Sequence, residues 1–176
     1  MRVISGKYKG KKLDGFDIDG TRPTMDRVKE SLFGSIQNYI KGASCLDLFA
    51  GSGSLGIEAL SNGASNCHFV DNGPVAFKVL EKNTQSIEET KYLYKMDYKK
   101  ALEVFKEKNI TFDIIFLDPP YNLNLINDVL KKIKEYNLLN EDGIIICEYE
   151  NEKIITNYEC IKEKKYGTTN ISIYKN

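Results

Sequence analysis

Short apolar runs alternate with helical patterns along most of this 176-residue chain, and this alternation is what most restricts its fold. Runs typical of buried strands occur near 44–49, 66–70, 92–96, 112–117 and 143–148, and helical patterns lie near 54–62, 74–87, 99–108 and 123–136. Strands that alternate with helices in this way form a parallel sheet through right-handed crossovers. Two short candidates near 158–165 and 169–174 predict a closing antiparallel hairpin. We therefore predict an α/β, Rossmann-like sheet of seven strands, mostly parallel, with an antiparallel C-terminal edge.

The beginning of the chain does not follow this alternation. Residues 2–13 are predicted to form a β-hairpin, and a polar loop follows over 14–20. A helical pattern with proline in its first turn then covers about 23–39. We therefore divide the chain into an N-terminal basic hairpin and helix over 1–40, which is an appendage, and a main domain over 41–176.

Acidic residues stand at or just beyond the ends of four predicted strands, namely Asp47, Asp71, Asp97 and Asp118. An aspartate after a strand is often only a helix cap. In an open α/β sheet, however, ligands bind at the carboxyl ends of the strands, so four such acids are expected to surround one crevice.

A glycine-rich turn follows the first of these acids, with the sequence GSGSLG over 51–56 between a strand and a helix. Glycines allow backbone N–H groups and the helix start to approach a ligand closely. The pattern alone is also compatible with a nicotinamide dinucleotide site. Asp47 lies inside the preceding strand, where it would repel a pyrophosphate. An acid there favours a ligand with cationic groups, such as the ammonium and sulfonium of S-adenosylmethionine.

The next two acids suit the nucleoside part of such a ligand. Asp71 lies about 20 residues beyond the glycines, where nucleotide-binding sheets hold ribose hydroxyls. Asp97 can accept a hydrogen bond from an adenine amino group, while Met96 or Tyr98 packs on the ring.

The tetrapeptide DPPY over 118–121 follows an apolar strand and precedes a helical pattern. The carboxylate of Asp118 and the carbonyl of Pro119 can accept both N–H bonds of an exocyclic amine, and Tyr121 offers a ring for stacking. Proline lacks an N–H and fixes φ, so Pro120 keeps this loop stiff. A simple turn with a packed tyrosine is the alternative interpretation of the tetrapeptide.

Together, these motifs resemble a known family. DLFAGSGSLGIEAL over 47–60 with DPPY over 118–121 is similar to class I S-adenosylmethionine-dependent amino-methyltransferases. RVISGKYKGKKL over 2–13 and TRPTMDRVKESLF over 21–33 resemble the RsmD family of 16S ribosomal RNA guanine-N2 methyltransferases more specifically. The resemblance covers essentially the whole chain.

The resemblance implies roles for particular residues. The catalytic loop would be Asp118, Pro119, Pro120 and Tyr121. The S-adenosylmethionine site would be formed by Asp47, Phe49, Ala50, Gly51, Ser52, Gly53, Asp71, Asn72, Asp97 and Tyr98, with Arg22 and Thr24 near the cofactor carboxylate or an RNA phosphate. The alternative for the last two is a solvated Arg22 and a helix cap from a neighbouring threonine. Lys29 is a weaker candidate for the same region.

The distribution of charge suggests where RNA would bind. Lysine and arginine number 25 and so do aspartate and glutamate, but the first twelve residues contain five bases and no acid. Such a segment can contact phosphates and stack on an unpaired base. The expected RNA-binding residues are Arg2, Lys7, Tyr8, Lys9, Lys11, Lys12 and Arg27. The expected partner is 16S ribosomal RNA within a small-subunit assembly intermediate.

A DNA adenine-N6 methyltransferase is the main alternative, because the DPPY loop suits either exocyclic amine. The chain has little length left for a separate DNA-recognition domain, which favours the RNA enzyme. A non-catalytic RNA-binding protein would have no need of an intact acid ring.

Other functional classes are disfavoured by composition. No run approaches the roughly 20 apolar residues of a membrane span, and the basic start lacks an apolar signal segment, so we expect a cytoplasmic protein without membrane contact. Four cysteines without short spacings predict reduced thiols and no metal site. His68, between Cys67 and Phe69 in a predicted strand, is expected to pack rather than catalyse.

Overall fold

The computed structural model describes residues 1–16, 26–121 and 123–176. Its centre is a seven-stranded sheet with the strand order β3-β2-β1-β4-β5-β7-β6. The strands are β1 (Ser44–Asp47), β2 (Asn66–Val70), β3 (Thr90–Tyr94), β4 (Phe112–Leu117), β5 (Leu139–Tyr149), β6 (Glu159–Tyr166) and β7 (Thr169–Lys175). The helices are α1 (Asp26–Ile40), α2 (Ser54–Ser61), α3 (Pro74–Thr84), α4 (Tyr98–Glu107) and α5 (Ile126–Glu135).

Strand pairing confirms the predicted fold class. Strands β1 to β5 pair in parallel, whereas β7 runs antiparallel to both β5 and β6. The chain moves from β1 to β2 and β3 in one direction, and then places β4 and β5 on the other side of β1. The order therefore reverses between β1 and β4, which is the topological switch point where such sheets bind ligands.

Two apolar layers cover the faces of the sheet. One contains residues of α1, α2 and α3 packed on the sheet, including Leu32, Leu60 and Leu80 together with Phe116 of β4. The other contains residues of α4 and α5, including Phe105. The alternating faces of the strands supply both layers, since successive side chains of a strand point to opposite sides.

The predicted strand and helix boundaries hold to within a few residues, with one larger difference. Strand β5 begins at Leu139, four residues before its predicted start, and its pairing with β4 shifts register after Phe112. This early part is polar, so its sequence does not look like a buried strand. The side chain of Asn140 donates a hydrogen bond to Asp113 Oδ1 at 3.0 Å and stabilises it.

The N-terminal segment is a tight turn structure fixed onto helix α2. The predicted hairpin is present as a single antiparallel bridge between Arg2 and Lys12. Backbone bonds from Val3 to Lys11 and from Leu13 to Met1 flank this bridge, whereas the backbone N–H groups of Ile4 and Ser5 bond to the carboxylate of Glu58 at 2.8 and 3.3 Å. The predicted loop over 14–20 and the proline at the predicted helix start fall largely or wholly outside the described residues.

The first forty residues also contribute to the main core. Val3 and Leu13 are buried in the same apolar layer as Val28 and Ile36 of α1, and this layer packs on the sheet. In the part of the chain that the structure describes, no helix is both long and apolar enough to cross a membrane.

Candidate active site

A cavity of roughly 470 Å³ opens at the carboxyl ends of β1 to β4, and all four predicted acids line it. Since neighbouring strands lie about 4.8 Å apart, acids at the ends of four adjacent strands extend across about 14 Å. That length suits an elongated ligand. The lining residues are Met1, Gly15, Phe16, Asp47, Leu48, Phe49, Ala50, Gly51, Ser52, Ser54, Leu55, Asp71, Asn72, Gly73, Ala76, Met96, Asp97, Tyr98, Asp118, Pro119, Pro120 and Tyr121.

Asp71 organises the glycine turn. Its Oδ2 accepts a hydrogen bond from the backbone N–H of Gly51 at 2.8 Å, and its Oδ1 accepts one from Gly73 at 2.8 Å. Each carboxylate oxygen has two lone pairs, so these bonds leave acceptor capacity for a ligand. Asp71 can therefore fix the turn after β1 and accept from two ligand hydroxyls together.

Asp47 is the most buried acid of the cavity, with only 1% of its surface exposed. Its Oδ2 accepts a hydrogen bond from the backbone N–H of Gly56 in α2 at 3.1 Å. Burial raises the pKa of Asp47 to about 7, and the bond from Gly56 only partly opposes this effect. A cationic ligand group would supply the charge partner that this carboxylate needs.

The raised pKa of Asp47 predicts an unusual dependence of stability on pH. Its ordinary pKa is 3.8 and its folded pKa is about 7, so the folded state holds this proton over a range where the unfolded state has lost it. The free energy of unfolding therefore carries a penalty that is absent below about pH 4 and complete above about pH 7. Asp47→Asn, which keeps an acceptor oxygen, should remove a penalty on the order of 4 kcal/mol above neutrality.

Urea unfolding of both proteins at about pH 4.5 and pH 7.5 measures this effect. The variant should gain stability relative to the original chain as pH rises. Asp142→Asn is a matched control, because Asp142 is exposed and makes only a 3.8 Å ion pair with Lys175. Parallel pH curves for Asp47→Asn and the original chain would contradict the assignment.

Aromatic side chains form another wall of the cavity. The rings of Phe49 and Tyr98 lie 5.3 Å apart between centroids, and Met96 lines the same region. Asp97 is the N-cap of α4 and accepts a hydrogen bond from the backbone N–H of Lys99 at 2.8 Å. Asp97 therefore caps α4, which is the alternative role that the sequence allowed, and it also lines the cavity.

The DPPY loop begins where β4 ends, at the other end of the row of acids. Asp118 is half-buried, Pro119 is buried and Pro120 is exposed. The hydroxyl of Tyr121 donates a hydrogen bond to Oε1 of Glu148 at 3.2 Å, and Glu148 is 6% exposed in β5. Tyr121 is thus oriented from the neighbouring strand.

The glycines of the turn have different tasks from one another. Gly51 lines the cavity, but Gly53 does not, although the motif predicted both as cofactor-binding. Gly53 has φ of 85°, and a Cβ there would come within 2.7 Å of Leu80 in α3. A Cβ on Gly56 would lie 2.3 Å from the ring of Phe69. These two glycines allow α2 to pack closely against β2 and α3.

Sequence reasoning missed the part of the cavity that the N-terminal segment supplies. Phe16 lies over the glycine turn, with its ring 3.4 Å from the position that a Cβ on Gly51 would occupy. The side chain of Asn83 holds this arrangement, since it donates to the backbone carbonyls of both Asp14 and Ser52 at 2.9 Å. No periodic pattern indicates such contacts, because Asn83 lies 69 positions from Asp14 and 31 positions from Ser52.

The predicted RNA-binding residues have varied surroundings. Lys7 pairs with Glu88 and Glu89, whose carboxylates raise its pKa, and the hydroxyl of Tyr8 donates to Glu89 at 2.7 Å. Both side chains therefore have partners within the protein, and their role in contacting RNA stays a prediction.

The other bases have fewer ionic contacts with the described residues. Arg2 forms an exposed pair with Asp26 at 3.1 Å, and Lys11 donates to Ser86 at 2.5 Å. Lys9, Lys12 and Arg27 are exposed. Arg22 and Thr24 lie outside the described residues, so the structure does not place them. Lys29, the weaker candidate, is fully buried.

Three of the four cysteines and the histidine are buried. Cys45, Cys67 and Cys147 are buried, Cys160 is exposed, and all four are free thiols. His68 lies 4.5 Å from the ring of Tyr92, and burial lowers its pKa to about 4. Over residues 1–16, 26–121 and 123–176, no group of acidic, cysteine or histidine side chains is arranged to hold a metal ion.

Comparisons with known proteins agree with this geometry. A family model described as "Conserved hypothetical protein 95" matches residues 1–175. The protein YlbH of Bacillus subtilis is 42% identical over 181 residues, covering 99% of this chain and 98% of the relative. Ribosomal RNA small subunit methyltransferase D of Haemophilus influenzae is 37% identical, covering 100% of this chain and 94% of the relative.

A solved structure shares the whole fold. The protein yhhF from Escherichia coli superposes with a TM-score of 0.86 at 27% identity, covering 100% of this chain and 97% of that one. The family model and the curated relatives both extend over nearly the full length. This chain therefore belongs to the RsmD family, whose curated relatives include ribosomal RNA small subunit methyltransferase D.

Proposed function

We propose that this protein methylates the exocyclic N2 amine of a guanine in small-subunit 16S ribosomal RNA, with S-adenosylmethionine as the methyl donor. The observation that carries the proposal is the single cavity shared by Asp47, Asp71, Asp97 and the DPPY loop. The name of the Haemophilus influenzae relative supports ribosomal RNA of the small subunit as the substrate. The guanine and its N2 atom come from the resemblance to the RsmD family.

The cavity fits S-adenosylmethionine chemically. The buried carboxylate of Asp47 suits a cationic group, and Asp71 has acceptor capacity for ribose hydroxyls. Phe49 and Tyr98 provide ring surfaces beside Asp97 for an adenine. When bound, the cofactor supplies an electrophilic methyl group on a sulfonium. A volume of roughly 470 Å³ lies within the range of small-molecule sites.

The DPPY loop would hold the target amine. The lone pair of a guanine N2 amine is delocalised into the ring, so the amine must be oriented and polarised before it can react. The carboxylate of Asp118 and the carbonyl of Pro119 would accept its two N–H bonds and stabilise the positive charge that develops on nitrogen. Tyr121 would stack on the base. Orientation of this kind is worth roughly 7–11 kcal/mol in well-aligned reactions.

The N-terminal segment would contribute to RNA binding. Lys9 and Lys12 are exposed on a segment whose first and last parts, Met1 and Phe16, line the cavity. Arg27 is exposed in the first turn of α1. Phosphate contacts from these residues would place an unpaired base near the DPPY loop, and binding would weaken as salt concentration rises.

Transfer of tritium from methyl-labelled cofactor tests the proposal. We expect label in 16S ribosomal RNA, offered both free and as small-subunit particles from cells lacking this protein. Mass spectrometry of digested RNA should identify N2-methylguanosine. Label in DNA as N6-methyladenine would support the alternative enzyme, and absence of label in every nucleic acid would contradict methylation altogether.

A further inference from the structure

The start of helix α5 is held by residues from another loop. Leu125 precedes the helix and has no side-chain atom that could cap it. The carboxylate of Glu152, in the loop between β5 and β6, accepts hydrogen bonds from the backbone N–H groups of Ile126 at 3.3 Å and Asn127 at 3.0 Å. A negative group at this position also interacts favourably with the helix dipole.

Asn127 completes the connection in the reverse direction. Its Nδ2 donates to the backbone carbonyl of Lys153 at 2.8 Å, and its Oδ1 accepts from the backbone N–H of Ile155 at 2.8 Å. Two side chains thus form four hydrogen bonds between the start of α5 and the loop after β5. We refer to Glu152 and Asn127 with these bonds as the clasp.

The clasp lies beside the proposed catalytic loop. Helix α5 begins five residues after Tyr121, and β4 ends one residue before Asp118. The loop is therefore fixed at its start by the central sheet and at its end by the clasped helix. The bond from Tyr121 to Glu148 joins it to the same strand whose continuation carries Glu152. Strand β5 therefore bonds the DPPY segment at Tyr121, and the loop after β5 bonds the start of α5 five residues further along the chain.

We propose that Glu152 and Asn127 are positioning residues for the target base, which they affect only by fixing the DPPY loop. This inference rests on the proposed function of that loop. Neither residue lines the cavity, so neither should contact the cofactor. Loss of the clasp would free the first turn of α5, and small displacements of aligned groups reduce rates strongly.

The test compares Glu152→Ala, Glu152→Gln and Asn127→Asp with the unchanged protein. Glu152→Ala should lower kcat for RNA methylation about tenfold, while cofactor affinity changes by less than about twofold. Glu152→Gln retains one acceptor oxygen and should give an intermediate kcat. Asn127→Asp loses the donor to Lys153 and places a second carboxylate beside Glu152, so it should resemble Glu152→Ala.

Glu141→Ala is the matched control, since Glu141 is exposed at the other end of β5 and should leave kcat unchanged. A purely structural role would lower kcat only in proportion to lost folded protein, which thermal unfolding measures. A normal kcat in Glu152→Ala and Asn127→Asp would overturn the inference.

Amide hydrogen exchange separates this inference from the proposed function. In Glu152→Ala the amides of Ile126, Asn127 and Tyr121 should exchange faster, while those of β4 stay protected. Unchanged exchange at these amides would overturn the inference even if kcat fell. If the unchanged protein methylates no RNA, the proposed function fails, and the exchange data still decide whether the clasp orders the loop.

Discussion

Replacement of Asp118 by alanine is expected to lower the rate of RNA methylation by about 10³-fold. Asp118 is the acid of the cavity that belongs to the DPPY loop, on the β4 side of the switch point. Its carboxylate would align the amine and stabilise the charge that develops during transfer. Asp47, Asp71 and Asp97 belong to β1 and to the turns after β2 and β3. The affinity for S-adenosylmethionine, measured by calorimetry, should therefore change by no more than a few-fold, on the order of 1 kcal/mol.

Asp118→Asn and a control variant make this experiment more informative. The asparagine keeps one acceptor oxygen but carries no charge, so its rate should lie between those of the alanine variant and the unchanged protein. Asp142→Asn removes a charge at an exposed position and should have no effect. Near-normal turnover in Asp118→Ala would show that the loop does not hold the amine. A parallel loss of cofactor affinity would instead place Asp118 in the cofactor site.

The architecture was predictable because most strands and helices show a characteristic spacing of apolar residues in the sequence. The buried parallel strand β4 is apolar at every position except Asp113, and helices α4 and α5 bury one apolar face and expose a polar one. The polar start of β5 lacked that signal, since hydrogen bonds from residues such as Asn140 stabilise it rather than apolar burial. Extended pairing of this kind depends on a neighbouring strand and cannot be seen in a local sequence pattern.

The acids of the site were predictable because they follow directly from the positions of the strand ends in the sequence. Asp47, Asp71, Asp97 and Asp118 come together because parallel strands place their carboxyl ends at one edge of the sheet. Contacts that join distant segments could not be predicted in this way. Phe16 over Gly51 is one example, because its place follows from tertiary packing alone. Charge counting likewise could not show that Lys7 is paired with Glu88.

One such unpredicted contact connects the N-terminal segment with helix α2. Lys29 of α1 and Glu58 of α2 form an ion pair at 3.5 Å, and neither side chain is more than 1% exposed. The Lys29 ammonium also donates to the backbone carbonyl of Arg2 at 2.6 Å and to Ser54 Oγ at 2.9 Å. Burial lowers the pKa of Lys29, while the nearby charge of Glu58 opposes that shift. Ser54 lines the cavity, so this cation joins α1 and the N-terminal segment to the cavity-lining start of α2.

Lys29→Met is therefore expected to lower the free energy of unfolding by about 3–5 kcal/mol, because it leaves the Glu58 carboxylate buried without its counter-charge. Urea unfolding of the variant and the unchanged protein measures the loss. Lys41→Met, at an exposed lysine just beyond the end of α1, is the matched control and should change stability by less than about 0.5 kcal/mol.

The double variant Lys29→Met with Glu58→Gln tests whether charge is the cause. Glutamine keeps an acceptor for the backbone N–H of Ile4, which now bonds to Glu58 at 2.8 Å, but it needs no counter-charge. The double variant should therefore be more stable than Lys29→Met alone, since removal of both charges avoids the uncompensated ion. Additive losses from the two substitutions would show that packing, rather than the buried pair, joins the N-terminal segment to the site.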